Sequence, residues 1–132
     1  MTNAELDHPA LSWQRLTPRV EVAGLCNEVI GGSDCYGNVI DLSPSGLRIE
    51  RPLRGRGLEA RVQLEIDVPE IDEVLWVLGE VCFDRVHHAG APGLLRTTGF
   101  RIAAAASREL RLLRDYVFDR SLAEERALRA LQ

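Results

Sequence analysis

Between Arg61 and Val68 the chain alternates without a break. Val62, Leu64, Ile66 and Val68 fall on one side, and Arg61, Gln63, Glu65 and Asp67 on the other. Successive side chains of a strand point to opposite faces, so a period of two marks a strand with one face on a core and the other in water. This amphipathic strand sets the reading of its neighbours.

Upstream, strand character begins at Pro18, with Val20 and Val22 followed by the β-branched run Leu25 to Ile30. Gly31-Gly32-Ser33-Asp34 is a turn signal. A second strand is expected from Cys35 to Leu42, and Pro44-Ser45-Gly46 breaks it. Leu47 to Glu50 alternates as a short third strand, and Arg54-Gly55-Arg56-Gly57 reads as loop. Downstream of the alternating strand, Pro69 to Glu73 turns and Val74 to Val86 forms a long apolar strand, with Trp76 and Phe83 expected in the core. His87 to Gly93 reads as a glycine- and proline-containing loop with solvated histidines. Arg96 to Ala103 is the last strand. Ser107 is placed to cap a helix carrying Leu110, Leu113 and Val117 at helical spacing. Ser121-Leu122-Ala123-Glu124 has capping-box spacing and suggests a second helical start, with Leu122, Ala127, Leu128 and Leu131 as its apolar side. About six short strands followed by a helix predict a mainly β domain, closed as a barrel or sandwich with the helix over an end or face. Residues 1–12 read as a flexible tail, 13–118 as the domain, and 119–132 as a helical extension.

At 132 residues one core is expected, and a 45% hydrophobic fraction suits a folded chain. The polar, acidic N-terminus does not read as an export signal, and the cytoplasm is the expected compartment. Cys26, Cys35 and Cys82 form no Cys-x-x-Cys pair, so reduced, partly buried thiols are expected rather than a disulfide framework. A zinc site from Cys82, His87 and His88 lacks the paired spacing of structural zinc. The net charge of −4 argues against a sequence-independent nucleic-acid binder, and a 5% aromatic content argues against a stacking groove for single strands. No nucleophile elbow, Walker loop or metal-ligand cluster appears, so an enzyme is not expected.

All sixteen basic residues are arginine. Two of them, Arg15 and Arg19, stand four apart in Arg15-Leu16-Thr17-Pro18-Arg19. The second polar interruption is Asp41-Leu42-Ser43-Pro44-Ser45-Gly46-Leu47-Arg48. Guanidinium pairs phosphate as a planar fork and also lies flat on π surfaces. Together the two segments read as a site for a small, doubly charged anion that carries flat bases. Each segment also has a plainer reading: solvated arginines, and an Asp41–Ser43 turn held by local hydrogen bonds.

The order Arg-x-x-x-Arg, one hairpin, then Asp-x-Ser-x-x-Gly resembles PilZ domains, bacterial receptors for cyclic di-GMP. Arg15 and Arg19 match the first motif, and Asp41, Ser43 and Gly46 the second. Gly79-Glu80-Val81-Cys82-Phe83 and Gly99-Phe100-Arg101-Ile102 are similar to two later strands of the family. In a chain this rich in arginine about one or two Arg-x-x-x-Arg pairs arise by chance, so the order and spacing of both motifs carry the weight. Gln14 stands where the family often has a further arginine, and Ile102 where it more often has Phe.

The resemblance implies a six-stranded antiparallel barrel with a C-terminal helix, and cyclic di-GMP as ligand without a cofactor. It implies that Arg15 and Arg19 close over the ligand from the lead-in segment. Asp41 would accept from a guanine edge, Ser43 would donate to phosphate or base, and Gly46 would allow close approach, with a positive φ as one way of doing so. Arg48 would make an outer contact. The output would be a conformational change passed to a protein partner, and the helix beyond Phe118 would either serve that partner, self-associate, or pack back on the barrel. The alternative is a degenerate PilZ-like interaction module that binds no cyclic di-GMP.

Overall fold

The computed structural model describes residues 18–53, 59–88, 90 and 93–131. The expected tail at 1–12, Arg15, and the loop arginines Arg54 and Arg56 lie outside the described residues.

Six strands form the domain: β1 Val20–Ile30, β2 Ser33–Ser43, β3 Gly46–Pro52, β4 Arg61–Asp67, β5 Leu75–His88 and β6 Leu94–Ala105. They close in the order β1-β2-β3-β6-β5-β4, every neighbouring pair antiparallel. Gly31 and Gly32 turn β1 into β2 with φ of 57° and 79°, the left-handed pair that suits the twist of a tight hairpin. Several strands run further than the sequence pattern suggested. His87 and His88 are the last residues of β5 rather than loop. Antiparallel pairing with Leu94 and Leu95 carries the strand on past the apolar stretch.

Inward positions build one core. Leu42, Ile49, Leu64, Ile66 and Leu75 are fully buried, as the alternation in β4 requires. The helix α1, Ser107–Ala130, adds Leu113, Tyr116 and Val117 to that core. Its contacts fix it over the end where β1 and β5 begin. Glu109 accepts from the Trp76 backbone N–H at 3.1 Å, the Tyr116 hydroxyl donates to Glu70 at 2.9 Å, and Arg120 donates to the Glu21 carbonyl at 2.9 Å. Burial and the Glu70 bond push the Tyr116 hydroxyl up to about 12.

Three expectations are corrected here. Ala106, not Ser107, is the N-cap, and no side chain caps it; the extended backbone at Ala106 continues straight from β6 and leaves Ser107 as the first helical residue. The helix runs through Ser121 without a restart, because good helix formers surround it and nothing there breaks the ladder. Beyond Ser121 the helix does not pack back on the barrel: Leu122, Leu128 and Leu131 are exposed, and Arg120 makes the last contact, to the Glu21 carbonyl. No described helix is long and apolar enough to cross a membrane.

Candidate functional site

The cross-strand register assembles the site. Asp41 on β2 pairs with Arg48 on β3, Arg48 with Gly99 on β6, and Gly99 with Phe83 on β5. These four lie in one row on the outer barrel wall, three strand spacings or about 14 Å from end to end. A second row runs beside it: Ser43 pairs with Gly46, Gly46 with Arg101, and Arg101 with Glu80. Arg19, just ahead of β1, reaches the same place. Arg19, Asp41, Ser43, Gly46, Arg48, Phe83 and Arg101 all line one open cleft of ≈390 Å³. That volume lies within the range of small-molecule sites.

The motif residues keep one another in place. Arg48 Nε donates to Asp41 Oδ2 at 2.8 Å, and Arg48 Nη2 donates to the same oxygen. That bond to Asp41 raises the Arg48 guanidinium above its ordinary value. Asp41 is buried, while the Arg48 side chain is 39% exposed. The carboxylate is therefore a fixed acceptor beneath a cation that faces the cleft. Ser43 Oγ donates to the Gly46 carbonyl at 3.3 Å and accepts from the Ser45 N–H at 3.4 Å. The Ser45 carbonyl in turn accepts from the Ile102 N–H at 2.8 Å, tying the turn to β6.

Gly46 is needed for space and not for a positive φ, which corrects one expectation. Its φ is not among the positive values, and a Cβ there would stand 2.4 Å from the Phe100 carbonyl oxygen. Arg101 donates to Glu80, which also accepts from Arg61 at 3.4 Å. The Arg101 bond holds the Glu80 carboxyl below the usual carboxylate range. Arg48 and Arg101 are thus each paired with an acid, whereas Arg19, exposed and lining the cleft, has no ion pair among the described residues.

Of the residues the sequence nominated, Arg19, Asp41, Ser43, Gly46 and Arg48 come together here, and Arg15 lies outside the described residues. Phe83, Gly99, Arg101 and Cys82 line the cleft without having been nominated. Trp76 and Phe83 were expected in the core and are instead 52% and 44% exposed. Trp76 takes an outward position in β5, opposite Glu65. Phe83 follows a break in register: Val81 pairs with Phe100 but Phe83 with Gly99, so Cys82 is one residue extra. Such a bulge re-aims the side chain that follows it.

The zinc reading finds no support in the geometry. His87 Nε2 lies 2.9 Å from Thr97 Oγ1, and no group of three His, Cys, Asp or Glu among the described residues could hold a metal ion. Cys26 and Cys35 are buried and Cys82 is exposed, none of them in a disulfide among the described residues, and partial burial pushes the Cys82 thiol up.

Comparison with known proteins bears on the same residues. The PilZ domain family model matches residues 14–119. No curated protein matches the chain in sequence. Among solved structures, the PilZ domain with c-di-GMP of YcgR from Escherichia coli superposes with a TM-score of 0.62 at 16% identity, covering 86% of this chain and 95% of that one. MrkH of K. pneumonia gives a TM-score of 0.71 at 14% identity over 86% of this chain, and the Bacillus subtilis inhibitor of motility MotI/DgrA gives 0.65 at 14% identity over 81%. The chain spans about half the length of these last two, 51% of each.

Proposed function

Because the chain belongs to the PilZ domain family, we propose that it is a receptor for cyclic di-GMP, binding it at the cleft where the two motifs converge. One observation carries this reading: Arg19 lines the same cleft as Asp41, Ser43, Gly46 and Arg48, although it is separated from them in sequence by a whole hairpin. The β1–β2 register, with Val20 opposite Leu42, seats Arg19 beside the Ser43 turn, so the hairpin brings a cation to the edge of the buried Asp41 acceptor. The c-di-GMP bound by the YcgR PilZ domain supports the choice of ligand.

The division of labour follows from chemistry. Arg19, with Arg15 beside it in the motif, forks onto phosphate and lies flat on guanine. Asp41 accepts from the guanine N1–H and N2–H₂ edge with its remaining lone pairs, and Arg48 contributes an outer cation. Ser43 donates to phosphate or base, and Gly46 leaves room for it to do so. Ligand binding shifts the protein only as far as the ligand prefers one state. The route outward is short: Arg120 of α1 donates to the Glu21 carbonyl, two residues from Arg19. Tension on the lead-in therefore reaches the helix, whose exposed Phe118, Leu122, Leu128 and Leu131 offer a surface to a downstream protein or to a second copy.

Isothermal titration of the full chain with cyclic di-GMP tests the reading and reports how many nucleotides bind. Saturable heat is expected for the wild type. For Arg19→Ala we expect affinity at least tenfold lower, because a charge-assisted hydrogen bond contributes about 1.5–3 kcal/mol. Absence of heat and of any melting shift at high ligand would instead favour a degenerate interaction module.

A further inference from the structure

Among the described residues Arg19, Arg48 and Arg101 line the cleft, and the acids that hold the last two are placed differently. Asp41 lines the cleft itself, so it can hold Arg48 and still face a ligand. Glu80 does not line the cleft. The register sets it between two guanidiniums, with Arg101 of β6 opposite it on one side and Arg61 of β4 on the other. Its two oxygens divide between them: Oε1 accepts from Arg101 Nη2, and Oε2 accepts from Arg61 Nε at 3.4 Å. Arg101 holds the carboxyl below its usual range, so it stays charged at neutral pH. The trio lies on the outer wall and is not part of the core, and exposed ion pairs of this kind contribute little to stability. Their effect falls on the cleft instead. A phosphate arriving beside Arg101 meets a guanidinium whose Nη2 is already engaged. It also meets a negative charge about 5 Å beyond, one strand spacing away.

We infer that Glu80 is a built-in competitor for the ligand: it engages Arg101 as a phosphate would, and the dinucleotide binds by taking that guanidinium over. This rests on the cyclic di-GMP reading above and deepens it. The contact gives the receptor a set point. Affinity is held below what the cations of the cleft allow, and one carboxylate outside both the cleft and the core determines by how much. Arg61 moderates the competition, because it shares the carboxylate and leaves one oxygen to Arg101.

The test is calorimetric titration of the full chain with cyclic di-GMP as wild type, Glu80→Gln, Arg101→Gln and the double variant, with ligand-free melting temperatures recorded in parallel. Gln keeps the size of Glu80 and removes its charge. The expected result is an affinity about three- to fivefold higher in Glu80→Gln than in the wild type, the scale on which an exposed ion pair acts, with a nearly unchanged melting temperature. In the Arg101→Gln background the same substitution should bring no gain, because the guanidinium it releases is gone. If the wild type binds and Glu80→Gln binds equally or more weakly, the competitor falls while the receptor reading stands. A gain that persists without Arg101 overturns it as well, since Glu80 would then act only as a diffuse charge. Binding by Glu80→Gln where the wild type shows none supports the competitor. If neither takes up cyclic di-GMP, both readings fall together. Should Glu80→Gln fail to fold, Glu80→Ala is read by the same comparisons.

Discussion

The Asp41 carboxylate can be asked whether it serves the turn or the ligand, because the two roles differ in what its removal exposes. Truncation would leave Arg48 without its partner. The Arg48 side chain is 39% exposed, so water can take over its hydrogen bonds, and the loss should resemble that of a surface pair, about 1 kcal/mol or less. The ligand has no such substitute for a fixed acceptor beneath it. Asp41→Ala is therefore expected to melt within a few degrees of the wild type while losing more than tenfold in affinity for cyclic di-GMP. A clear fall in melting temperature with unchanged affinity would assign Asp41 to the turn alone. Gly46 shows the same layering at the backbone level: with the Phe100 carbonyl oxygen only 2.4 Å from where a Cβ would lie, the turn can press against β6 and keep Ser43 at the cleft.

Elements show which parts of this arrangement are legible in the chain. The strand β4 follows from its alternation alone, since Val62, Leu64 and Ile66 are all buried and Arg61, Gln63 and Asp67 exposed. The two motifs mark one side of the site because their residue types are rare in combination. What pattern reading misses is the far wall. Alternation places Phe83 with Val81, and only the cross-strand pairing of Phe83 with Gly99 reveals that one residue is extra. A bulge is a property of two strands, and no window along one of them contains it. The end of α1 is misread for a related reason. Leu128 and Leu131 have the three-residue spacing of a buried stripe, but whether anything lies beneath them depends on where the barrel stops. Residues 122–130 carry no buried side chain, and Arg120 is the last to reach the barrel. Ending the chain after Ser121 is thus expected to change unfolding free energy by less than about 1 kcal/mol. If the helix end carries self-association, sedimentation should show the wild type as an oligomer and the shortened chain as a monomer. A large loss of stability in the shortened monomer would instead mean that the segment packs on its own barrel.

Across the whole molecule the barrel has two differently built ends. One is plugged by the apolar side of α1, with Leu113 and Val117 fully buried. Toward the other, Glu28 and Arg51 meet inside the wall, 1% and 6% exposed. Their contact is a two-point fork, Arg51 Nε to Glu28 Oε1 at 2.7 Å and Nη2 to Oε2 at 3.1 Å. Arg51 Nη1 also donates to Thr98 Oγ1 at 2.8 Å, and Thr98 donates to Asp84 at 2.8 Å. Strands β1, β3, β6 and β5 are therefore joined by one polar chain that is buried from Glu28 to Thr98 and surfaces at Asp84. Breaking such a pair from one side leaves an uncompensated charge and costs about 3–5 kcal/mol, whereas replacing both members with apolar residues of similar volume is often neutral. Glu28→Leu alone and Arg51→Met alone should each lower stability by that amount in urea titrations, and the double variant should recover most of the loss. Cleft affinity in the double variant should stay within about twofold of the wild type, because neither residue lines the cleft. Were the double variant as unstable as the worse single one, the network would be holding the four strands in register through its hydrogen bonds to Thr98 rather than through charge neutralisation, and the geometry of the row from Asp41 to Phe83 would depend on it, since Thr98 is the neighbour of Gly99 in β6.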